Sequence, residues 1–218
     1  MRQHNGHDKD AAATWENRWQ GAGEKGEAGE RLTWLGRRML RAKKERLQTL
    51  ARQLGVRTVV EVGCGLGYTL AAYADAGLDC LGIDVSENAV QACRKKGLPA
   101  RRQSLEETTD QFDLVSSDGM LEHFLHFAPL AAHMVRISKK YILLIQPNHE
   151  SFFGKTLVYL AELLRGRINV HEYNYRIDDF IQVFSMVDCQ IVRNEPVFWD
   201  VFRLLLFMKN DNRADTSV

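Results

Sequence analysis

The stretch Val59-Val60-Glu61-Val62-Gly63-Cys64-Gly65-Leu66-Gly67-Tyr68 decides the fold. A β-branched, apolar run enters three glycines at alternate positions and leaves into a helical stretch, so a buried strand turns tightly into a helix. Glycine lets the backbone approach a ligand without Cβ obstruction, and a helix N-terminus beyond it favours anionic or polar groups. Each glycine also costs chain entropy on folding, which a plain tight turn does not justify. Asp84 stands 21 residues after Gly63, at the end of the next apolar run. A carboxylate at that separation can accept hydrogen bonds from both hydroxyls of a ribose; taken alone, it could equally cap a helix beginning at Val85-Ser86.

Outward from this turn, short apolar runs alternate with helical periods. Strands are expected over 58–62, 80–84, 100–103, 112–117 and 141–146. Helices are expected over 68–76, from Ser86 to Gly97, and over 121–135. This βα alternation predicts an α/β fold with a mainly parallel sheet, whose ligands bind at the carboxyl ends of the strands. Beyond Pro147 the spacing predicts an apolar helix over 152–164, a helix over 178–186 and two last strands over 190–194 and 201–207. Residues 148–176 interrupt the alternation, where a lid or substrate pocket would sit. N-terminal to the turn, Leu32, Leu35, Met39, Leu47, Leu50 and Leu54 recur at helical intervals among basic residues, predicting a long amphipathic helix that ends near Gly55.

The chain has 218 residues, of which 45% are hydrophobic, 16 are Gly and 4 are Cys. That excludes a disordered chain and a disulfide-stapled miniprotein. Its 29 basic and 28 acidic residues leave a net charge of +1, but the balance is regional: −2 over residues 1–30, +8 over 31–57 and −5 over 58–218. The basic segment, with Arg37, Arg38, Arg41, Lys43, Lys44 and Arg46, is expected to be the solvated face of its helix. A nucleic-acid track through 31–57 is the less favoured alternative. Cys64, Cys80, Cys93 and Cys189 form no CxxC, so reduced thiols and no metal site are expected. No signal-peptide core opens the chain and no apolar run reaches membrane-spanning length, so a cytoplasmic protein is expected.

The spacing Glu61-x-Gly63-x-Gly65-x-Gly67 differs from the G-x-G-x-x-G of dinucleotide sites. It resembles motif I of the class I S-adenosylmethionine-dependent methyltransferases, of the small-molecule, type 11/23-like kind. Leu81-Gly82-Ile83-Asp84-Val85-Ser86 resembles their second strand, and Phe112-Asp113-Leu114-Val115-Ser116-Ser117-Asp118 with Leu121-Glu122-His123 resembles their fourth strand and following loop. The likeness covers residues 55–147; His171, Tyr175, Phe180 and Val187-Asp188 match a C-terminal pattern loosely.

This resemblance implies a three-layer αβα, Rossmann-like methyltransferase fold with a mostly parallel seven-stranded sheet, one strand reversed near the C-terminus. A helical cap would span 1–54, the methyltransferase domain 55–209, with a substrate-side insertion at 148–176, and a tail 210–218. It implies S-adenosyl-L-methionine as cofactor and S-adenosyl-L-homocysteine as product. Gly63, Cys64, Gly65 and Gly67 would lie against the methionine part, with Glu61 organising the turn. Asp84 and Val85 would hold the ribose, Ser104 and Leu105 would border the adenine, and Ser117 would line the cavity near the sulfonium. Ser104 departs from the Asp often found at its position, which weakens an adenine contact there. Trp15-Glu16-Asn17-Arg18-Trp19 is similar to an aromatic-Arg segment that folds over the cofactor in the thiopurine group, placing Trp19 at the cofactor; the alternative is a helix packed on the sheet.

Methyl transfer from a sulfonium needs mainly alignment of donor and nucleophile, with a base where the acceptor carries a proton. The candidates are His123, His149 and His171, beside Asp118 and Glu122. The expected acceptor is a small hydrophobic or aromatic molecule. The apolar segment 152–167 would line its pocket, touch a membrane surface peripherally, join two copies in a homodimer, or simply cover the sheet of a monomer. Three rival functions stand beside this one, the weakest being an NAD-dependent oxidoreductase. An RNA methyltransferase is disfavoured because Ser117-Asp118-Gly119-Met120 lacks an Asn/Asp-Pro-Pro-aromatic signature; a non-catalytic cofactor-binding regulator would keep Gly63, Gly65 and Asp84 alone.

Overall fold

The computed structural model describes residues 7–20, 34–156 and 173–210. A seven-stranded, mostly parallel sheet runs in the order β3-β2-β1-β4-β5-β7-β6 with helices around it. The strands are β1 (Thr58–Val62), β2 (Asp79–Asp84), β3 (Ala100–Arg102), β4 (Phe112–Asp118), β5 (Ser138–Pro147), β6 (Cys189–Val197) and β7 (Phe202–Lys209). The helices are α1 (His7–Arg18), α2 (Trp34–Leu54), α3 (Tyr68–Asp75), α4 (Glu87–Lys95), α5 (Ala128–Ile137) and α6 (Ile177–Met186). β1, β2 and β3 are parallel, whereas β7 runs against both β5 and β6 and is the reversed strand the resemblance implied. The chain clusters into two compact units, the first up to Thr108 with Ser116–Asp118, the second comprising Thr109–Val115 and the residues from Gly119 onward.

In the first unit, β1 pairs with β2 from Thr58↔Asp79 to Val62↔Ile83. Val59 and Val60 point to opposite faces and both are wholly buried, as befits a strand covered on two sides. α4 starts where Ser86 Oγ accepts the Ala89 N–H at 3.2 Å, and its polarity is matched by Glu87 in the first turn and Arg94 and Lys95 in the last. α2 packs on α3 with Leu47, Leu50 and Ala51 buried, and Gln48 Nε2 donates to the Ala72 carbonyl at 3.1 Å.

Gly82 in β2 has no room for a side chain. A Cβ there would lie 2.7 Å from Leu70 Cδ2, 2.8 Å from Cys64 Sγ and 2.9 Å from Cys64 Cβ. Gly82→Ala is therefore expected to destabilise the protein by about 2–3 kcal/mol, read as a lower urea midpoint at unchanged m-value.

In the second unit, β5 and β7 supply the core with Ile142, Leu143, Leu144 and Leu204 to Phe207, against which Phe184 of α6 stacks on Phe207 at 4.6 Å. β6 is an edge strand and alternates between half-buried and exposed positions, with Pro196 near its end where a missing N–H costs little. The helix expected over 121–135 is interrupted: Leu121–His123 forms a 3-10 turn, and α5 begins at Ala128. Pro129 explains the break, since its ring bars a helix from continuing into it from upstream. β6 and β7 extend beyond the expected strands because their antiparallel pairing runs from Cys189↔Lys209 to Val197↔Phe202, and β5 begins earlier than expected, at Ser138. Of the helix expected over 152–164, residues 152–156 are helical; 157–172, like 21–33 and 211–218, lie outside the described residues.

Candidate functional site

The turn after β1 is built from three left-handed glycines, with φ of 70° at Gly63, 48° at Gly65 and 76° at Gly67. L side chains rarely adopt this region, which explains the alternate-glycine spacing. The N–H groups of Gly63 and Cys64 both donate to the Ile83 carbonyl, at 2.9 and 3.1 Å, so the turn is sewn to the end of β2. Gly67 meets a steric limit too: a Cβ there would stand 2.8 Å from Cys93 Sγ and 2.8 Å from Leu98 Cδ1.

Asp84 joins this turn to the next helix. Its Oδ2 accepts the Gly65 N–H at 2.9 Å and its Oδ1 accepts the Ser86 N–H at 2.9 Å. Burial pushes its carboxyl above the usual range, and those two N–H donors pull in the opposite direction. Asp84 thus ties the glycine turn to the start of α4, which agrees with its capping reading. The Val85 carbonyl accepts from Arg102 Nε at 3.2 Å.

Glu61, in β1 beneath the turn, is 2% exposed, and its Oε2 has no hydrogen-bond partner. Burial raises its carboxyl well above the carboxylate range, the negative Asp118 raises it further, and Lys43 opposes the shift. The folded chain therefore holds a proton that the unfolded chain releases as pH rises past the ordinary value of 4.5. This group costs nothing below that pH and lowers stability by about 1.4 kcal/mol per pH unit above it, until the folded value is reached. Glu61→Gln is expected to gain stability over the parent as pH rises above 4.5, with the gap in urea unfolding free energy widening with pH. A constant gap would show Glu61 to be ionised when folded.

Lys43, in the middle of α2, is buried and its Nζ lies 2.7 Å from Asp118 Oδ1 at the end of β4. Thr69 Oγ1 of α3 donates to the other oxygen, Asp118 Oδ2, at 2.9 Å. Nearby, the Tyr73 hydroxyl and Ser116 Oγ are 2.7 Å apart in the core. The basic run was expected to be a solvated face, yet Lys43 points inward. The signal was its phase: Lys43 falls on the same helical stripe as Leu47, Leu50 and Leu54.

Trp19 lies on the turn, since a Cβ on Gly65 would come within 3.2 Å of its Cζ2. Trp15 and Trp19 stack at 6.3 Å, with the Arg18 guanidinium over both rings. Glu16 anchors the segment to the start of α4: its Oε2 accepts the Glu87 N–H at 2.8 Å, and its carbonyl accepts from Asn88 Nδ2 at 3.1 Å. The aromatic segment is thus seated over the turn.

Ser104 and Leu105 follow β3. Ser104 Oγ faces the Glu107 N–H at 3.4 Å, its carbonyl accepts from Thr108 Oγ1 at 3.0 Å, and Leu105 is buried. Ser117 is wholly buried and its hydroxyl donates to the Val62 carbonyl at 3.0 Å, within the sheet. The four cysteines are free and buried; Cys64 and Cys93 are in thiol–thiol contact, and Cys93 Sγ donates to the Gly65 carbonyl at 3.2 Å. Donation to Cys93 and burial hold the Cys64 thiol up, while the Cys93 thiol is lowered by accepting from Cys64 and by Lys96.

His123 ends the 3-10 turn after β4, and His149 follows β5 with its Nε2 shielded from solvent. His171 lies outside the described residues. No group of three or more His, Cys, Asp or Glu with metal-binding geometry occurs among the described residues.

The family described as a methyltransferase domain matches residues 34–192. Ubiquinone biosynthesis O-methyltransferase of Methylococcus capsulatus is 41% identical over 96 residues, 39% of this chain and 40% of that protein. The protein of that name in Bordetella avium is 38% identical over 89 residues, 36% of this chain and 37% of its own length. The aligned stretch thus spans about two-fifths of these curated relatives. Among solved structures, magnesium protoporphyrin IX methyltransferase from Synechocystis PCC 6803 with bound SAH superposes with a TM-score of 0.68 at 16% identity, over 93% of this chain and 97% of that one. A possible histamine N-methyltransferase from Thermotoga maritima gives 0.67 at 17% identity, over 88% and 100%. At these identities the structural likeness is one of fold.

Proposed function

Because the chain belongs to the methyltransferase-domain family, we propose that it binds S-adenosylmethionine at the Gly63–Gly67 turn and methylates an oxygen of a small acceptor. The observation that carries this reading is the pairing of the three left-handed glycines with Glu61, whose buried Oε2 has no partner in the protein. A carboxyl stranded beneath a bare backbone turn suits a ligand that brings an ammonium group to it, as the methionine part of the cofactor does. Bound there, the cofactor supplies a methyl group on an already activated sulfonium. The chain's own work is alignment: the turn presents backbone without Cβ atoms, Asp84 fixes its position through Gly65, and Trp19 covers it and excludes water. Val85 and Leu105 would flank the nucleoside.

Oxygen as the acceptor atom is supported by the names of the curated relatives, both O-methyltransferases. A small hydrophobic or aromatic acceptor suits the apolar segment 152–167 of the sequence. Against RNA stands the internal use of part of the basic run, since Lys43 is buried against Asp118 and Lys44 is paired with Asp75 at the surface. No helix of the described residues is long and apolar enough to cross a membrane.

Titration calorimetry of the full chain with S-adenosylmethionine, S-adenosylhomocysteine and NAD tests the cofactor. Binding of the first two at micromolar concentration and none of NAD is expected; the reverse pattern sinks the assignment. Mass spectrometry for a 14 Da gain across hydroxylated aromatic acceptors then separates an enzyme from a cofactor-binding regulator.

A further inference from the structure

Under the glycine turn two thiols meet. Cys64 stands in the turn and Cys93 in α4; both are buried, and the Cys64 thiol donates to the Cys93 sulfur. Cys93 Sγ in turn donates to the Gly65 carbonyl at 3.2 Å, so hydrogen bonds run from one cysteine through the other into the turn. Packing fixes both sulfurs: Cys64 Sγ lies 2.8 Å from where a Cβ on Gly82 would stand, and Cys93 Sγ 2.8 Å from one on Gly67. Gly65 is thereby held at both ends. Asp84 Oδ2 accepts its N–H at 2.9 Å, Cys93 binds its carbonyl, and Trp19 covers it.

Cys93 has the surroundings of a reactive thiol. Accepting from Cys64 holds it below the usual thiol range against the effect of burial, and Lys96 adds to the lowering. Lys96 is itself tied to the turn, its Nζ donating to the Leu66 carbonyl at 2.9 Å and lying 4.7 Å from the centre of the Tyr68 ring. The four residues that follow Cys93, Arg94 to Gly97, are all exposed. Helix ends open first, and the end of this nine-residue helix is the path a small oxidant would take.

We propose that Cys64 and Cys93 form a redox switch on the cofactor turn: hydrogen peroxide joins them in a disulfide, and the turn loses its hold on S-adenosylmethionine until a dithiol reductant opens the bond. This rests on the cofactor reading above. The Cys93 sulfur, giving up its proton, attacks one peroxide oxygen; the O–O bond breaks, and the other oxygen leaves with that proton as water. The Cys64 sulfur then attacks the resulting sulfenic acid, and the second oxygen leaves as water with the Cys64 proton. Two thiols are oxidised to one disulfide while one peroxide is reduced to two waters. The dithiol reverses the change by exchange and becomes a disulfide itself. In the oxidised chain Cys93 has no proton left to donate, so the Gly65 carbonyl loses its partner. Drawing the sulfurs from contact to bonding distance also shifts the turn against α4.

The test treats the full, folded chain with hydrogen peroxide and measures S-adenosylhomocysteine binding by calorimetry. The intact mass should fall by about 2 Da, and peptide mapping should join Cys64 to Cys93 while Cys80 and Cys189 stay open to alkylation after unfolding. Affinity should drop about tenfold or more and return with dithiothreitol. Linkage requires the converse: in a buffer of reduced and oxidised dithiothreitol, saturating S-adenosylhomocysteine should raise the reduction potential of the pair by about 30 mV for each tenfold of affinity lost. Cys93→Ala should bind the ligand equally before and after peroxide. Four free thiols in the treated parent overturn the proposal, and so does an oxidised parent that binds as tightly as the reduced one. A Cys93→Ala chain that still loses affinity to peroxide overturns it too, since the change then lies elsewhere. A reduced parent that does not bind S-adenosylhomocysteine overturns the cofactor reading and the switch with it, and is told apart because the disulfide still maps.

Discussion

Asp84→Ala weakens S-adenosylmethionine binding by about 100-fold or more in a calorimetric titration, the largest effect expected of any single change at the turn. The carboxylate holds the Gly65 N–H through one oxygen and the Ser86 N–H through the other, each at 2.9 Å. Charge-assisted hydrogen bonds of this kind contribute about 1.5–3 kcal/mol each, and their loss strands two buried donors. The substitution thus acts twice: it removes the proposed ribose acceptor and releases the glycine turn from α4. Asp84→Asn keeps one acceptor oxygen and should fall between the two. An Asp84→Ala chain that binds the cofactor as tightly as its parent would contradict both roles.

Lys43→Met is expected to cost about 3–5 kcal/mol of stability, because it leaves the Asp118 carboxylate without its cation in a largely buried setting. Thr69 alone then faces that carboxylate, and Glu61 loses the one positive charge that opposes its upward shift. Exposed pairs such as Lys139–Asp113 set the contrast, since surface ion pairs contribute about 0–1 kcal/mol. The double variant Lys43→Met with Asp118→Leu should recover much of the loss, because removing both charges also removes their desolvation cost. Urea unfolding of the two single variants and the double variant gives the coupling directly. Strict additivity would mean that the 2.7 Å contact contributes nothing.

The parts of this protein that were legible in its sequence are those whose signals are local. Alternate glycines between a β-branched run and a helix can be read without tertiary knowledge, and so can the reach from Gly63 to Asp84; the structure places that carboxylate on Gly65. Trp19 was readable as one of two alternatives, and only packing shows it seated on the turn. Lys43 escaped because a charge in a basic run is normally solvated, and its partner lies 75 residues away. The split between the 3-10 turn and α5 follows from Pro129, which the apolar periodicity over 121–135 outweighed. Of the three histidine candidates, His123 and His149 follow β4 and β5, and His171 lies outside the described residues.

The missing Cβ atoms of Gly82 and Gly67 leave the spaces in which the sulfurs of Cys64 and Cys93 come to rest. Each glycine and its thiol therefore share one volume, and neither position is free to vary alone. In a saturation library, 64 with 82 and 67 with 93 would behave as linked letters, yet shrinking the cysteine alone would not admit a side chain, because Leu70 also crowds position 82 and Leu98 and a φ of 76° also bar one at 67. Redesign of the turn for a bulkier cofactor analogue has to start from those pairs, not from the glycines singly.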